Sequence, residues 1–507
     1  MTKPMDAQAD DTPQPLAATW YEATGVESPR RPRLNFDLDV DVCVIGGGLA
    51  GLTVAREVAR RGWSVCVLEG ARIANAATGR SSGFVVPGYA EDIDTMIERI
   101  GLDHAKELWA LSKTGVEYIR DAVAEADMGD VLLGEGALQI SKTDNWGDLR
   151  SRAERLRWMG AEVQAWPVEQ VREQLATERY FGALHHPRGF HIHPLNYAYG
   201  MARAAEQAGA RIFEDTPAIE LDPAGVRKRV QTPSAKVRAA HVVLAANVQL
   251  SNLMPRLGAT VMPLTTYLMV TEPIANLADA VRYQGAVSEE TRTGAQLRII
   301  DGDRLQISGG LTAWPSQPQL FARLLRRKLH RLFPQLGPVN AAYLWSGTFG
   351  RTLHHMPQIG EVNPGFWISS GFGAHGLNTS ALAGQLIGRG IVEGDDTWRL
   401  FAPYELVWAG GKTFRAVAQA VYLGARPLAG MRAAWSRRRE RSRRRSDQRA
   451  QKRRDKSAAA TATAPAPATA QPAPETKPPR RRGKGETAAS LLPVPTPVEE
   501  KTGRKKP

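Results

Sequence analysis

The chain is poor in cysteine: Cys43 and Cys66 are the only two among 507 residues. That excludes a disulfide-stapled scaffold and an array of zinc fingers. No run approaches the roughly 18–20 apolar residues that a membrane-spanning helix needs. The opening, Met1 to Leu16, lacks the apolar core of a secretory signal and carries Asp6, Asp10 and Asp11. Reduced cysteines without an export signal make the cytoplasm the expected compartment. Excess acidic charge is also missing, but unevenly. Of 66 basic and 52 acidic residues, 22 and 7 lie in residues 431–507, which leaves 44 and 45 for the rest. The net charge of +14 therefore belongs to the C-terminal segment. A nearly neutral body is not expected to be a specific nucleic-acid binder.

What is present is a nucleotide fingerprint. Val40-Asp41-Val42-Cys43-Val44-Ile45 reads as a buried strand and runs into Gly46-Gly47-Gly48-Leu49-Ala50-Gly51. Leu52 to Arg61 then reads as a helix that Gly62 stops, and Ser64 to Leu68 as a second strand ending at Glu69. In such a unit Gly46 permits the tight turn and Gly48 lets backbone approach a pyrophosphate. Gly51 lets the helix pack close to the strand. The helix start offers free N–H groups and a positive dipole end to the phosphates. Glu69 stands where a carboxylate accepts the ribose hydroxyls of a dinucleotide and repels a 2′-phosphate, which disfavours NADP. Cys43 and Cys66 read as small buried hydrophobes on adjacent strands.

Two later segments choose between FAD and NAD. One is Ala76-Ala77-Thr78-Gly79-Arg80-Ser81-Ser82-Gly83. The other is Ile368-Ser369-Ser370-Gly371-Phe372-Gly373-Ala374-His375-Gly376-Leu377, with a helix expected from near Thr379. With these the chain resembles the FAD-dependent D-amino acid oxidase superfamily, which includes glycine and sarcosine oxidases. Trp20-Tyr21-Glu22-Ala23-Thr24, Ala77 to Arg80 and Gly189 to Leu195 make it most similar to the γ-glutamylputrescine oxidase branch. The likeness covers about residues 18–405.

The resemblance implies a set of cofactor-binding residues: Gly46, Gly48, Leu49, Ala50, Gly51, Glu69, Thr78, Gly79, Arg80, Ser81, Ser82, Gly83, Ala218, Gly371, Gly373, His375, Gly376 and Leu377. Arg80 is expected to meet a phosphate or a substrate carboxylate, or else to form a surface ion pair. Ala218, in Glu214 to Ile219, is expected to pass the adenine. The strand Val242 to Leu244 is expected to end near the cofactor. His375 and Arg351 are the residues expected at the reaction centre. Noncovalent FAD is expected, because neither cysteine lies near the C-terminal motif and Thr78 to Ser82 lacks the histidine some relatives use.

Two positions depart from the family. Phe349 stands where relatives often place a carboxylate-binding arginine, and His354 where an aspartate is usual. An amine whose charge lies farther from the reacting nitrogen therefore fits better than a simple α-amino acid, with Arg351 replacing part of the lost charge. His185, His186, His191 and His193 cluster in sequence, but no acidic or cysteine ligand has metal spacing beside them, and no metal is expected.

The expected fold is α/β. A Rossmann-like FAD-binding domain is built from discontinuous segments, with an inserted α+β substrate domain carrying an antiparallel sheet and a disordered basic C-terminal tail. The expected boundaries are an irregular leader over 1–37, FAD-binding parts at 38–125, 181–255 and 351–405, and substrate parts at 126–180 and 256–350. A basic helical extension follows over 406–456, then a tail over 457–507 whose Ala, Thr and Pro cannot build a core. Arg437 to Lys456 is cationic over most of a helix. Three readings stay open for it: docking to an anionic membrane surface at the inner face, loose RNA association, or a solvated tail.

The resemblance implies an FAD-dependent amine oxidoreductase. It would transfer hydride from the carbon beside a neutral amine nitrogen to flavin N5, the imine would hydrolyse, and electrons would pass to O₂ or another acceptor. The alternatives are a dehydrogenase feeding a membrane quinone and a flavoprotein scaffold without catalysis. Oligomeric state is open.

Overall fold

The computed structural model describes residues 19–290 and 294–462. Two sheets organise the chain. The eight-stranded first sheet contains β1 (Leu38–Ile45), β2 (Val65–Leu68), β7 (Arg211–Phe213), β8 (Glu220–Asp222), β9 (Lys228–Gln231), β10 (Lys236–Leu244), β16 (Gln358–Asn363) and β17 (Phe366–Ser370). Its main order is β16-β17-β10-β1-β2-β7, with the β8–β9 hairpin on β10. Around β1 the pairing is parallel, and β1 and β2 are buried on both faces, as a covered parallel sheet requires. Cys43 sits opposite Cys66 in the β1–β2 ladder, and both are buried free thiols.

The nine-stranded second sheet contains β3 (Phe84–Val85), β4 (Leu132–Ser141), β5 (Gln164–Trp166), β6 (Gly182–Ile192), β11 (Met262–Thr271), β12 (Ala286–Glu289), β13 (Gln296–Ile300), β14 (Arg304–Thr312) and β15 (Ala341–Arg351). It is antiparallel except where β12 runs parallel to β4.

Seven helices matter for the site. They are α1 (Trp20–Thr24), α2 (Leu49–Arg60), α3 (Leu102–Glu125), α4 (Pro194–Gln207), α5 (Pro318–Leu332), α6 (Gly376–Glu393) and α7 (Gly411–Ala462). The helix expected near Thr379 thus begins three residues earlier. α2 is buried along nearly its whole length, and α6 crosses it. A Cβ at Gly384 or Gly388 would collide with Thr53 or Glu57, so only glycine allows that approach.

Three expected boundaries are corrected. The expected irregular leader is corrected over its first described residues: Thr19 caps α1, and Trp20 and Tyr21 are buried in the core, while 25–37 carries neither helix nor strand; residues 1–18 lie outside the described residues. The return to the nucleotide-binding layer comes at Pro194, not at 181, because β6 pairs with β4 in the second sheet. β6 is buried along most of its length, so its local pattern could not say which sheet receives it. The segment expected from 406 is helical from Gly411 onward, but it is not a free extension. Ala418, Ala433 and Ser436 of α7 are buried, Gln419 Oε1 accepts from Ala313 N (2.7 Å), and Arg415 donates to Ala313 O (2.6 Å). Arg172 grips Glu440 with two bonds of 2.6 and 3.1 Å, which holds the Glu440 carboxyl below its usual pKa. The expected tail from 463 onward lies outside the described residues.

Ending the chain after Gly430 removes that bidentate pair and two buried side chains. Stability is expected to fall by about 1–3 kcal/mol, the range for a charged hydrogen-bonded pair with some packing. Ending it after Lys456 should leave the thermal midpoint unchanged. Differential scanning fluorimetry of the two truncations checks this; equal midpoints would show that α7 beyond Gly430 contributes nothing to the body.

Candidate active site

One cavity of about 970 Å³ runs between the two sheets and gathers the segments that the sequence singled out. At one end lie Gly46, Gly48, Leu49, Ala50 and Glu69. Thr78, Arg80 to Gly83 and Ala218 follow along its walls. Gly373, His375, Gly376 and Leu377 close the other side, next to Arg351. Gly51, Gly79 and Gly371 do not line it. They act through the backbone. A Cβ on Gly51 would collide with Gly46 O, and one on Gly79 would press on Ala74 O at 2.5 Å. Gly371 has φ +70, open to glycine at no cost.

The residues fit a dinucleotide. Gly46 turns with φ +114, and a Cβ there would lie 2.7 Å from Ala245 O. A Cβ on Gly48 would meet only Thr78 Oγ1, at 3.3 Å, and otherwise project into the cavity. Protein packing does not demand glycine at 48, and its absence of a side chain leaves the backbone open to a ligand. Thr78 Oγ1 accepts from Leu49 N (3.1 Å) at the start of α2, and the other first-turn N–H groups stay available to an anion. Glu69 is fixed by Gly47 N (2.7 Å) and Ala71 N (2.9 Å) on its two oxygens. Burial pushes its pKa up, against the pull of those N–H groups. The carboxylate is thus aimed before any ribose arrives.

Arg80 lines the cavity and forms the ion pair that was one of its two expectations. Its guanidinium lies 3.7 Å from Glu22 and donates to Asn75 O (3.1 Å), an ion pair at the cavity rim. The Arg80 carbonyl accepts from Trp345 Nε1 (3.2 Å), which ties the segment to the second sheet.

At the far end, α6 points its N-terminus into the cavity, with His375 as its N-cap residue. The accessible surface of His375 faces the cavity and protein encloses the rest. Desolvation lowers its pKa to about 4, and Nδ1 has no hydrogen-bond partner among the described residues. His186 lines the same space. Burial, reinforced by Arg152, His185 and His375, lowers its pKa to about 4. Arg351 ends β15, bridges to Phe372, and lies against the backbone of Gly373. Phe349 also lines the cavity. His354 instead forms a turn with Thr352 (3.3 Å), Met356 N (3.2 Å) and Glu405 O (3.2 Å).

The histidine cluster in the sequence is dispersed in space. His185 packs on Trp166 (4.4 Å between rings), and His193 Nδ1 accepts from Asn196 N at the start of α4 (3.1 Å). His191 lies between Gln284 O (2.9 Å) and Arg298 (3.1 Å).

Arg298 went unnoticed in the sequence. It is fully buried, and its guanidinium donates to Ile192 O (2.7 Å), Tyr21 Oη (2.7 Å), Gln306 Oε1 (3.0 Å) and His191 Nδ1. All four acceptors are neutral. Tyr21 donates to Ser81 O (2.8 Å), and Gln306 Nε2 donates to Ser82 O (3.1 Å). A Cβ on Gly83 would lie 2.7 Å from Arg298 Nη1. The cation therefore stands directly behind the cavity wall. A lone arginine in a short apolar strand gives no local signal of this, since Tyr21, His191 and Ile192 are all more than 100 residues away in sequence.

Five imidazoles make stability pH-dependent. Burial lowers His186, His193, His354 and His375 to about 4 and His191 to about 3. The unfolded chain protonates them near the ordinary value of about 6.5. Between these values the unfolded state binds more protons, so stability is lost as pH falls from about 6.5 toward 4. The urea midpoint should be lower at about pH 5 than at about pH 7; equal midpoints would contradict the burial of these rings.

The comparisons with known proteins agree with this geometry. Residues 41–389 match the family model DAO, FAD dependent oxidoreductase. The chain is similar to the gamma-glutamylputrescine oxidoreductase of Escherichia coli strain K12, 32% identical over 409 residues, which are 78% of this chain and 94% of that protein. It is 25% identical to a glycine oxidase of Geobacillus kaustophilus over 73% of this chain and 98% of that one. The solved structure of glycine oxidase from Geobacillus kaustophilus superposes with a TM-score of 0.63 at 21% identity, over 73% of this chain and 99% of that chain. L-proline dehydrogenase from P. horikoshii gives 0.61 at 20% identity, over 73% and 98%. The chain is an FAD-dependent oxidoreductase of the DAO family, whose members act on amines and amino acids.

Proposed function

We propose that the protein holds FAD noncovalently and oxidises an amine that carries its charged group away from the reacting nitrogen. The observation that carries this is the single cavity shared by the Gly46–Gly51 turn, Glu69, Ser81 to Gly83 and the start of α6. Glu69 takes the ribose, the start of α2 the pyrophosphate, and Ser81 to Gly83 with the α6 N-terminus the ring system. When bound, the flavin supplies the two-electron acceptor for the C–H bond beside the amine. Cys43 and Cys66 are buried between strands and away from the cavity, which supports noncovalent attachment.

The chain's own groups set the conditions. An amine gives up that C–H bond only with its lone pair free, because the lone pair stabilises the iminium that forms. His375 and His186 stay neutral, so neither puts a positive charge beside the substrate ammonium, and each accepts a hydrogen bond from it. The first-turn N–H groups of α6 stabilise negative charge that develops across the cavity. Phe349 leaves no cation for a carboxylate close to the reacting carbon, whereas Arg351 beside Gly373 holds one farther along. The named activity of the Escherichia coli relative, on gamma-glutamylputrescine, is of this chemical kind.

Acid precipitation of the purified protein should release FAD into the supernatant, and Gly48→Val should abolish its binding, since the side chain fills the pyrophosphate path. Flavin retained in the pellet would refute noncovalent attachment. Under anaerobic conditions, terminal amines with a distant charge should bleach the flavin spectrum, and glycine should do so far less. No bleaching by any amine would leave a non-catalytic flavoprotein. Reoxidation of the bleached protein by O₂ or by a quinone then separates oxidase from dehydrogenase.

His375→Asn should keep FAD but slow bleaching about ten- to a hundredfold, the cost of one lost transition-state contact. The wild-type bleaching rate should rise with pH through the substrate ammonium and show no bend near 6.5, the ordinary imidazole value, because His375 and His186 are held near about 4.

A further inference from the structure

The helix α7 is built inside out. Its buried side is small: Ala418, Ala433 and Ser436, with Arg415, Gln419 and Glu440 reaching partners on the body. Its large apolar residues face the other way. Phe414, Val417, Val421, Met431 and Trp435 are 38%, 52%, 55%, 60% and 64% exposed. They are spaced by three, four, ten and four residues, which at about 100° per residue keeps all five within about 100° of arc, so they share one face of the helix. Trp408 in the preceding loop is 65% exposed. Arg432, Arg438 and Arg439 fall on or beside that face, and Arg439 lies over the Trp435 ring at 5.3 Å. Residues 432–456 hold 13 Lys and Arg against three acids.

We propose that this face docks the protein on an anionic lipid bilayer. Aromatic and aliphatic side chains ringed by arginine are what a helix lying in the headgroup region requires: the apolar face enters the acyl boundary while guanidinium groups reach phosphate. Among the described residues no helix is long and apolar enough to cross a membrane, so α7 lies on the surface. A second copy of the chain is a poorer occupant, because pairing this face with itself would set the arginine clusters against each other. A nucleic acid would engage the arginines but leave the apolar stripe without a role. The site lies outside the residues that match the family model, and the proposal does not depend on the reading of the flavin site.

The test uses the FAD-loaded full chain with vesicles of phosphatidylglycerol and phosphatidylcholine, or of phosphatidylcholine alone. Sedimentation should show binding to the first only, falling steeply as salt screens the arginines. The exposed-face variant Val417→Glu/Trp435→Glu should bind at least about tenfold more weakly, as expected for two apolar side chains kept out of the bilayer. Its FAD content and thermal midpoint should stay unchanged, which separates lost docking from misfolding. Brominated acyl chains should quench tryptophan fluorescence in the wild type and less in Trp435→Phe/Trp408→Phe. No binding to anionic vesicles at low salt overturns the proposal. Binding that the double variant retains in full overturns it too, by assigning the attraction to the basic residues alone. So does a dimer that dissociates in the double variant, or retention of single-stranded RNA without vesicle binding.

Discussion

A positive charge buried among neutral acceptors is the constraint on which the site depends. Among the described residues the buried Arg298 guanidinium donates to four neutral acceptors and to no carboxylate, so those acceptors must all be in place at once. Those acceptors come from α1, from the end of β6 and from β14. Tyr21 and Gln306 in turn hold the carbonyls of Ser81 and Ser82. Burial pulls the Arg298 pKa down and pushes the Tyr21 pKa up, and each group offsets part of the other's shift. The cost of that burial makes the arrangement all-or-none: the wall of the cavity beside Ser81 to Gly83 is rigid because loosening it would strand a cation.

The same cation explains the electrostatics of the cavity. Arg298 behind Gly83 and the N-terminus of α6 both favour negative charge in the space between them. The imidazoles of His186 and His375 are kept neutral by burial, so they add hydrogen-bonding capacity without adding charge. The cavity therefore favours negative charge between Arg298 and the start of α6 without holding a cationic imidazole there. Glu69 lies at the opposite end of the cavity, its carboxylate held by Gly47 N and Ala71 N.

The nucleotide-binding half was readable because its determinants are local. The turn at Gly46, the collision that a side chain at Gly51 would cause and the reach of Glu69 all lie within one strand–helix–strand unit. The helix start at Gly376 was readable for the same reason. The substrate half was not. β6 looks like any buried strand until β4 claims it, and Trp20 and Tyr21 look like a leader until Arg298 and His193 receive them. His185, His186, His191 and His193 are neighbours in sequence, yet only His186 reaches the cavity, because the irregular pairing of β6 sends the others to Trp166, to Arg298 and to the start of α4.

The sequence by itself determined the dinucleotide fold, its cofactor class and the uneven placement of charge, since glycine spacing, a strand-end carboxylate and a run of arginines act over a few residues. Tertiary structure alone decided which histidine of the cluster lines the cavity, where Arg298 stands and which side of α7 is apolar to solvent. Those depend on pairing and packing between stretches up to 277 residues apart, and no short-range pattern encodes a partner at that distance.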